Sequence, residues 1–212
     1  MYAPINKLLV KLEKKLYDSR TFESGQTIYF DPNWHPEEYA MLKATVVSIP
    51  PGVIDRKDYR GYKIVVKPGD EILIRYDVVF AYYDQPERDT PIYKNILFQF
   101  NASTGKYEEF WLCDILQVFA IIKGNQFEMI NGFVMLDIIE EKQADYTGII
   151  VRPDNYKNIA SKSLAKVKAT EENTGFKQGD FVFINPQTVM QYQLNLKQFY
   201  IIKQQYVLGK LS

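Results

Sequence analysis

The side chains that perform bond-breaking chemistry are thinly spread in this chain. One histidine, His35, stands in Asn-Trp-His-Pro, and one cysteine, Cys113, closes the apolar run Phe110-Trp111-Leu112-Cys113. A zinc site or a histidine-activated nucleophile needs several such groups converging, so neither has the parts to be built. A lone thiol in an apolar strand reads as a small buried hydrophobe rather than a reactive group. Neither the P-loop nor the dinucleotide glycine pattern occurs. The acidic pairs Glu37-Glu38, Glu108-Glu109, Glu140-Glu141 and Glu171-Glu172 sit beside polar or turn residues. They read as solvated edges that discourage edge-to-edge strand pairing. The expectation is a protein that is not an enzyme, with no cofactor and no metal.

What remains is recognition. The stretch DYTGIIVRPDNYKN (145–158) sets Gly148, Ile149, Ile150 and Val151 between two polar, charge-bearing flanks. On the residues alone this is either a buried strand or an apolar hook held out to a partner, with Gly148 supplying backbone freedom. A second stretch, SGQTIYFDPNWHPEEY (24–39), carries Thr27, Ile28, Tyr29 and Phe30. Its aromatics suit an interface as well as they suit packing inside their own domain.

The elements that must position these residues are strands. Leu8, Val10 and Leu12 alternate on one face of their run, and so do Val134, Leu136 and Ile138. ATVVSI (44–49), EILIRY (71–76), NILFQF (95–100), FVFI (181–184) and FYII (199–202) are short, β-branched and aromatic. Pro50-Pro51-Gly52, Pro68-Gly69-Asp70, Lys123-Gly124-Asn125 and Asn131-Gly132 punctuate them as turns. Many short strands with regular turns predict an all-β chain, a barrel or a sandwich. The run YKNILFQFNASTGKYEEFWLC (93–113) alternates on both sides of Asn101–Lys106, which predicts a β-hairpin with Ile96, Phe98 and Phe100 on one face.

Composition narrows the function classes. With 46% hydrophobic and 15% aromatic residues among 212, the chain buries a core and is not a disordered segment. Lys plus Arg and Asp plus Glu both number 26, and residues 124–212 hold 10 basic and 9 acidic side chains, so neither half is strongly charged. No nucleic-acid partner is expected. The opening MYAPINKLLVKLEKKL interrupts its apolar residues with lysines, and no run of about 20 apolar residues exists. Neither secretion nor a membrane partner is expected, and the expected location is the cytoplasm.

The chain also repeats itself. KPGDEILI (67–74) returns as KQGDFVFI (177–184), 110 positions on. FWLCDILQVFAII (110–122) returns as FYIIKQQYVLGKL (199–211), 89 positions on, and Leu8-Val10-Leu12 returns as Val134-Leu136-Ile138, 126 positions on. The elements keep their order while the offset shrinks, so the first copy carries extra residues before and after its Gly-Asp turn. The expected domains are 1–123 and 124–212.

Each copy runs strand, long polar loop with an apolar patch, strand, Lys-x-Gly-Asp turn, strand and closing strand. That order resembles the GroES-like co-chaperonins, the lid subunits of the bacterial chaperonin. The second copy resembles them best, in FVMLDIIEEKQADYTGIIVRPDN, SLAKVKA, FKQGDFVFI and FYIIKQQYVLGKL. The resemblance implies two tandem GroES-like β-barrel domains, the first with a long insertion containing the β-hairpin. It implies that Gly148, Ile149, Ile150 and Val151 form a mobile loop docking between two helices at the rim of a GroEL-like chaperonin ring. Thr27, Ile28, Tyr29 and Phe30 would be the second loop, departing from the aliphatic tripeptide. It further implies a cyclic homo-oligomer, seven-fold for a lid, and the terminal strands 6–12 and 116–122 are the expected joints. The composition, rich in Lys, Ile, Tyr, Asn and Gln, suits a phage or a low-GC bacterium. A structural ring or virion protein reusing the fold is the alternative.

Overall fold

The computed structural model of the chain describes residues 2–12, 19–21, 24–29, 42–54, 59–79, 95–139, 164–172, 174–194 and 197–211. They form strands and no helix longer than a single 3-10 turn. The strands are β1 (Lys7–Lys11), β2 (Ser19–Thr21), β3 (Thr27–Tyr29), β4 (Lys43–Ser48), β5 (Glu71–Ile74), β6 (Ile96–Asn101), β7 (Lys106–Asp114), β8 (Val118–Lys123) and β9 (Gln126–Met129). They continue as β10 (Phe133–Ile138), β11 (Leu164–Thr170), β12 (Phe181–Ile184), β13 (Met190–Leu194), β14 (Lys197–Lys203) and β15 (Val207–Lys210). The chain is all-β, as the alternation predicts.

Two antiparallel sheets carry the repeat. The first is ordered β6-β7-β1-β4-β5-β8-β9 and the second β13-β14-β10-β11-β12-β15. Strand for strand these are one topology, with β9 the single addition among the described residues. The registers agree as well. Pairing of β1 with β4 slips between Leu9 and Val10, and pairing of β10 with β11 slips between Met135 and Leu136, the same place 126 positions on. Pairing of β5 with β8 slips between Leu73 and Ile74, matched by β12 with β15 between Phe183 and Ile184, 110 positions on. A one-residue slip reverses which face every later side chain occupies, so a shared bulge is a shared core pattern.

The cores bear this out. Leu8, Val10, Val46, Ile72 and Ile74 are buried together in the first unit. Their equivalents Val134, Leu136, Val167, Val182 and Ile184 are buried together in the second. Each fully buried aliphatic side chain contributes about 1.5–3 kcal/mol. The first strand is covered on both faces, because Leu9 packs with Ala3 and Phe110 on the side opposite Leu8 and Val10.

The two Lys-x-Gly-Asp turns make the same bonds. Gly69 N donates to Val46 O and Gly179 N to Val167 O, both at 2.8 Å. Asp70 and Asp180 each accept the N–H of the lysine three residues earlier, Lys67 and Lys177, at 2.7 Å through Oδ2. Gly69 and Gly179 stand at φ of 91° and 94°, left-handed backbone where a Cβ is strained.

Three features differ from the sequence reading. The hairpin forms as β6 and β7, closing on the pair Asn101 and Lys106 with Gly105 at φ of 66°. It is not peculiar to the first copy, since β13 lies beside β14 in the same place. The extra length after the Gly-Asp turn falls mainly between Val79 and Ile96, where the second copy passes from Val189 straight into Met190, and the extra length before it falls mainly between Ser48 and Gly69. The division of the chain also falls later than residue 123. The compact units are Met1–Asn131 with Gln193–Lys197, and Gly132–Tyr192 with Gln198–Ser212. Residues 126–129 go with the first because β9 pairs with β8, Ala120 facing Met129 and Ile122 facing Phe127. Lastly, strands 6–12 and 116–122 offer no free edge. The first lies between β4 and β7, and the second between β5 and β9.

Candidate binding surface

Copy one presents its apolar segment as a strand. Thr27–Tyr29 pairs antiparallel with Ser19–Thr21, Ser19 facing Tyr29 and Thr21 facing Thr27. Gly25, at φ of 81°, turns the chain between them. Among the described residues this pair forms a sheet of its own, separate from the two large ones. Ile28 and Tyr29 are 49% and 78% exposed. The choice left open by the residues therefore falls to the surface for these two. Phe30 and the whole predicted loop Gly148, Ile149, Ile150 and Val151 lie outside the described residues.

A second apolar surface was not singled out as a site in the sequence. On the β6–β7 hairpin, Phe100 faces Tyr107 and Phe98 faces Glu109 across the strands. Phe98, Phe100 and Tyr107 are all exposed, and the Phe100 and Tyr107 rings meet edge to face at 5.3 Å between centroids. Such a pair contributes about 0.5–1.5 kcal/mol beyond its area. Nearer the sheet, Ile96 on the same face packs into the core beside Trp111. The hairpin thus continues one apolar face from buried to open. Only the alternation of NILFQF against KYEEF carried this signal, and alternation does not say where the core ends.

Towards the tip of the hairpin the opposite face is polar and tied down, while nearer the sheet it carries Leu97 and the buried Phe110. Glu108 accepts from Asn101 Nδ2 at 2.6 Å and from Lys11 Nζ at 3.1 Å. These two partners, Asn101 first, hold its carboxyl below the usual carboxylate range.

The residues with catalytic potential are placed otherwise. Cys113 is fully buried beside Trp111 and Val118 in the core, and burial pushes its thiol well up, away from the reactive thiolate. His35, Glu37, Glu38, Glu140 and Glu141 lie outside the described residues. Among the described residues no group of three or more His, Cys, Asp or Glu is placed to hold a metal ion, and no helix is long and apolar enough to cross a membrane. Glu171 is not the plain solvated edge that the sequence suggests. Its Oε2 accepts the Gly132 N–H at 2.7 Å and pins the entry to β10. Glu108, likewise, is engaged rather than free.

No family model matches the chain, and no curated protein is significantly similar to it.

Proposed function

We propose that this chain is a co-chaperonin-like lid protein, built from two tandem GroES-like β-barrel domains, that binds a GroEL-like chaperonin ring and assists folding without catalysis of its own. One observation carries the reading. The order of strand, strand, Lys-x-Gly-Asp turn, strand and closing strand occurs twice, with the same bulges and the same turn hydrogen bonds. In this reading Gly148, Ile149, Ile150 and Val151 dock on the chaperonin, and Thr27, Ile28, Tyr29 and Phe30 form the divergent second segment. A small apolar anchor on a loop binds weakly because docking orders the loop. A ring of copies converts weak contacts into avidity. The setting is a cytoplasm, that of a host if a phage encodes the chain.

The second reading, a structural ring or virion protein reusing the fold, is favoured by copy one. Its segment is a paired strand with an exposed tyrosine, not an aliphatic tripeptide. Mixing the pure protein with a chaperonin ring, with and without nucleotide, separates the two readings, because a lid gives capped particles. Ile150→Asp is expected to abolish capping and to shift the thermal melt by no more than about 0.5 kcal/mol, as an exposed loop change does. Unfolding by the same change, as expected of a charge placed in a core, overturns the docking role of the loop.

A further inference from the structure

The hairpin strand β6 ends the first sheet, with no strand beyond it among the described residues. Asn95 O accepts the Leu112 N–H and Asn101 O the Gly105 N–H, both at 2.8 Å, so the odd-numbered residues bond inward to the hairpin. By alternation the N–H and C=O groups of Ile96, Phe98 and Phe100 aim outward along the open edge. Sheet edges are usually blunted by a charge, a proline or a bulge. Strand β9 carries Glu128, and β15 carries Gly209 and Lys210. Strand β13 is uncharged, but its Tyr192 is buried. Strand β6 has no such device. Ile96–Asn101 is six uncharged residues without proline or glycine, in unbroken register with β7, and Phe98 and Phe100 are 56% and 53% exposed. An open apolar edge of this kind is a template for another strand.

The strand that fits it is β6 itself. A two-fold axis normal to the sheet at Phe98 sets two copies antiparallel, Phe98 facing Phe98 and Ile96 facing Phe100. Outward groups then meet outward groups in three pairs, each exchanging two hydrogen bonds. Moving the axis to Leu97 or Gln99 leaves only two of these pairs. The same axis keeps both apolar faces on one side, so that Tyr107, Phe100, Ile96 and Trp111 line up across four strands. A parallel arrangement about an axis along the strands turns one apolar face up and the other down. No like charges meet across the joint, because Ile96–Asn101 carries none.

We propose that the β6 edge binds a second copy of this chain, the two β6 strands pairing antiparallel about Phe98 so that both hairpins join one continuous sheet. The contact is isologous and closes at two chains, unlike the head-to-tail contacts of a ring. A fully covered aromatic ring buries about 150–250 Å², so rings about half free offer about 100 Å² each. The pair brings six of them together, Phe98, Phe100 and Tyr107 from each copy, roughly 600 Å² in all. Standard interfaces begin at about 1,200 Å², so this pair is weak and dissociates on dilution.

The pairing uses neither the chaperonin nor the apolar segments of the proposed function, so capping and pairing fail independently. The test exploits the axis, where residue 98 faces its own copy. Sedimentation equilibrium of the full chain is expected to show one chain passing to two as concentration rises. Phe98→Lys and Phe98→Glu, at an exposed position, are expected to keep the parent's urea midpoint. Each alone sets like charges opposite one another and is expected to weaken the step about tenfold. Their equimolar mixture is expected to recover it. Phe100 faces Ile96 and not itself, so Phe100→Lys mixed with Phe100→Glu is expected to stay weak. Recovery in that second mixture equal to the first would overturn the register. A parent chain monomeric across the series, or a Phe98→Lys that associates as the parent does, would overturn the pairing. So would a monomeric parent whose capping of a chaperonin is lost in Phe98→Lys, because the face would then serve that ring.

Discussion

Asp180 shows how a single carboxylate serves the repeat. It caps the Lys177 turn through the backbone and pairs with Lys210 Nζ at 2.7 Å. The Lys210 bond first, and the Lys177 N–H second, hold its carboxyl below the usual range. A depressed folded value means that the unfolded chain takes up the proton first as pH falls. The stabilisation is thus complete above the unfolded value near about pH 4 and is lost as pH drops through the lower, folded one. Asp180→Asn is expected to lower the urea midpoint at neutral pH, and the gap from the parent chain is expected to close in acid. A gap independent of pH would show that the charge is irrelevant to the turn. Cys113 gives a second test at this scale. Buried and with its thiol pushed up, it is expected to resist a thiol reagent in the native protein and to react fully in denaturant, with the rate tracking unfolding.

At the scale of elements, Asn131 decides how β9 joins β10. It is a non-glycine residue at φ of 61°, so glycine would relieve backbone strain there. Its Nδ2 also donates to Ile115 O and Val118 O at 2.8 Å each. Asparagine is among the residues that tolerate this backbone best, so the relief is a few tenths of a kcal/mol. Two lost hydrogen bonds cost about 0.5–1.5 kcal/mol each and leave part-buried carbonyls without that donor. Asn131→Gly is therefore expected to destabilise by about 1–2 kcal/mol in chemical denaturation, and a gain in stability would show that strain dominates. Strand identity, the repeat and the hairpin were legible in the sequence because alternation and turn residues are local signals. Leu8 and Val10 against Val134 and Leu136 gave the equivalence that the shared bulges now specify. The bulges themselves were not legible, being properties of a pair of strands. Nor was the role of β9, because Gln126–Met129 is short and the alternation of its partner β8 does not say whether a further strand lies beside it. The exposure of Phe98 and Phe100 escaped for a similar reason, since the same alternation in Ile96 leads into the core.

At the scale of the whole molecule, two matched sheets in one chain constrain any ring it forms. Among the described residues the first sheet ends at β6 and β9 and the second at β13 and β15. A head-to-tail ring of such chains adds two repeats at every step, so its repeats come in even numbers. The resemblance implies a chaperonin partner with seven subunits, an odd number. Seven repeats in one ring are therefore not available, and a lid must use seven chains with one repeat of each facing the partner. The two apolar segments already differ, Ile149-Ile150-Val151 against Thr27-Ile28-Tyr29-Phe30, as unequal roles require. Native mass spectrometry of the protein with and without a chaperonin is expected to give seven chains in the capped species. In the free protein, head-to-tail oligomers are expected to grow with concentration. A closed ring of five, six or twelve chains would transfer the assignment to the structural protein, because its symmetry cannot match the partner. A chain that stays monomeric at all concentrations, with the chaperonin present, removes the lid altogether, since one weak apolar loop without avidity cannot hold a cap in place.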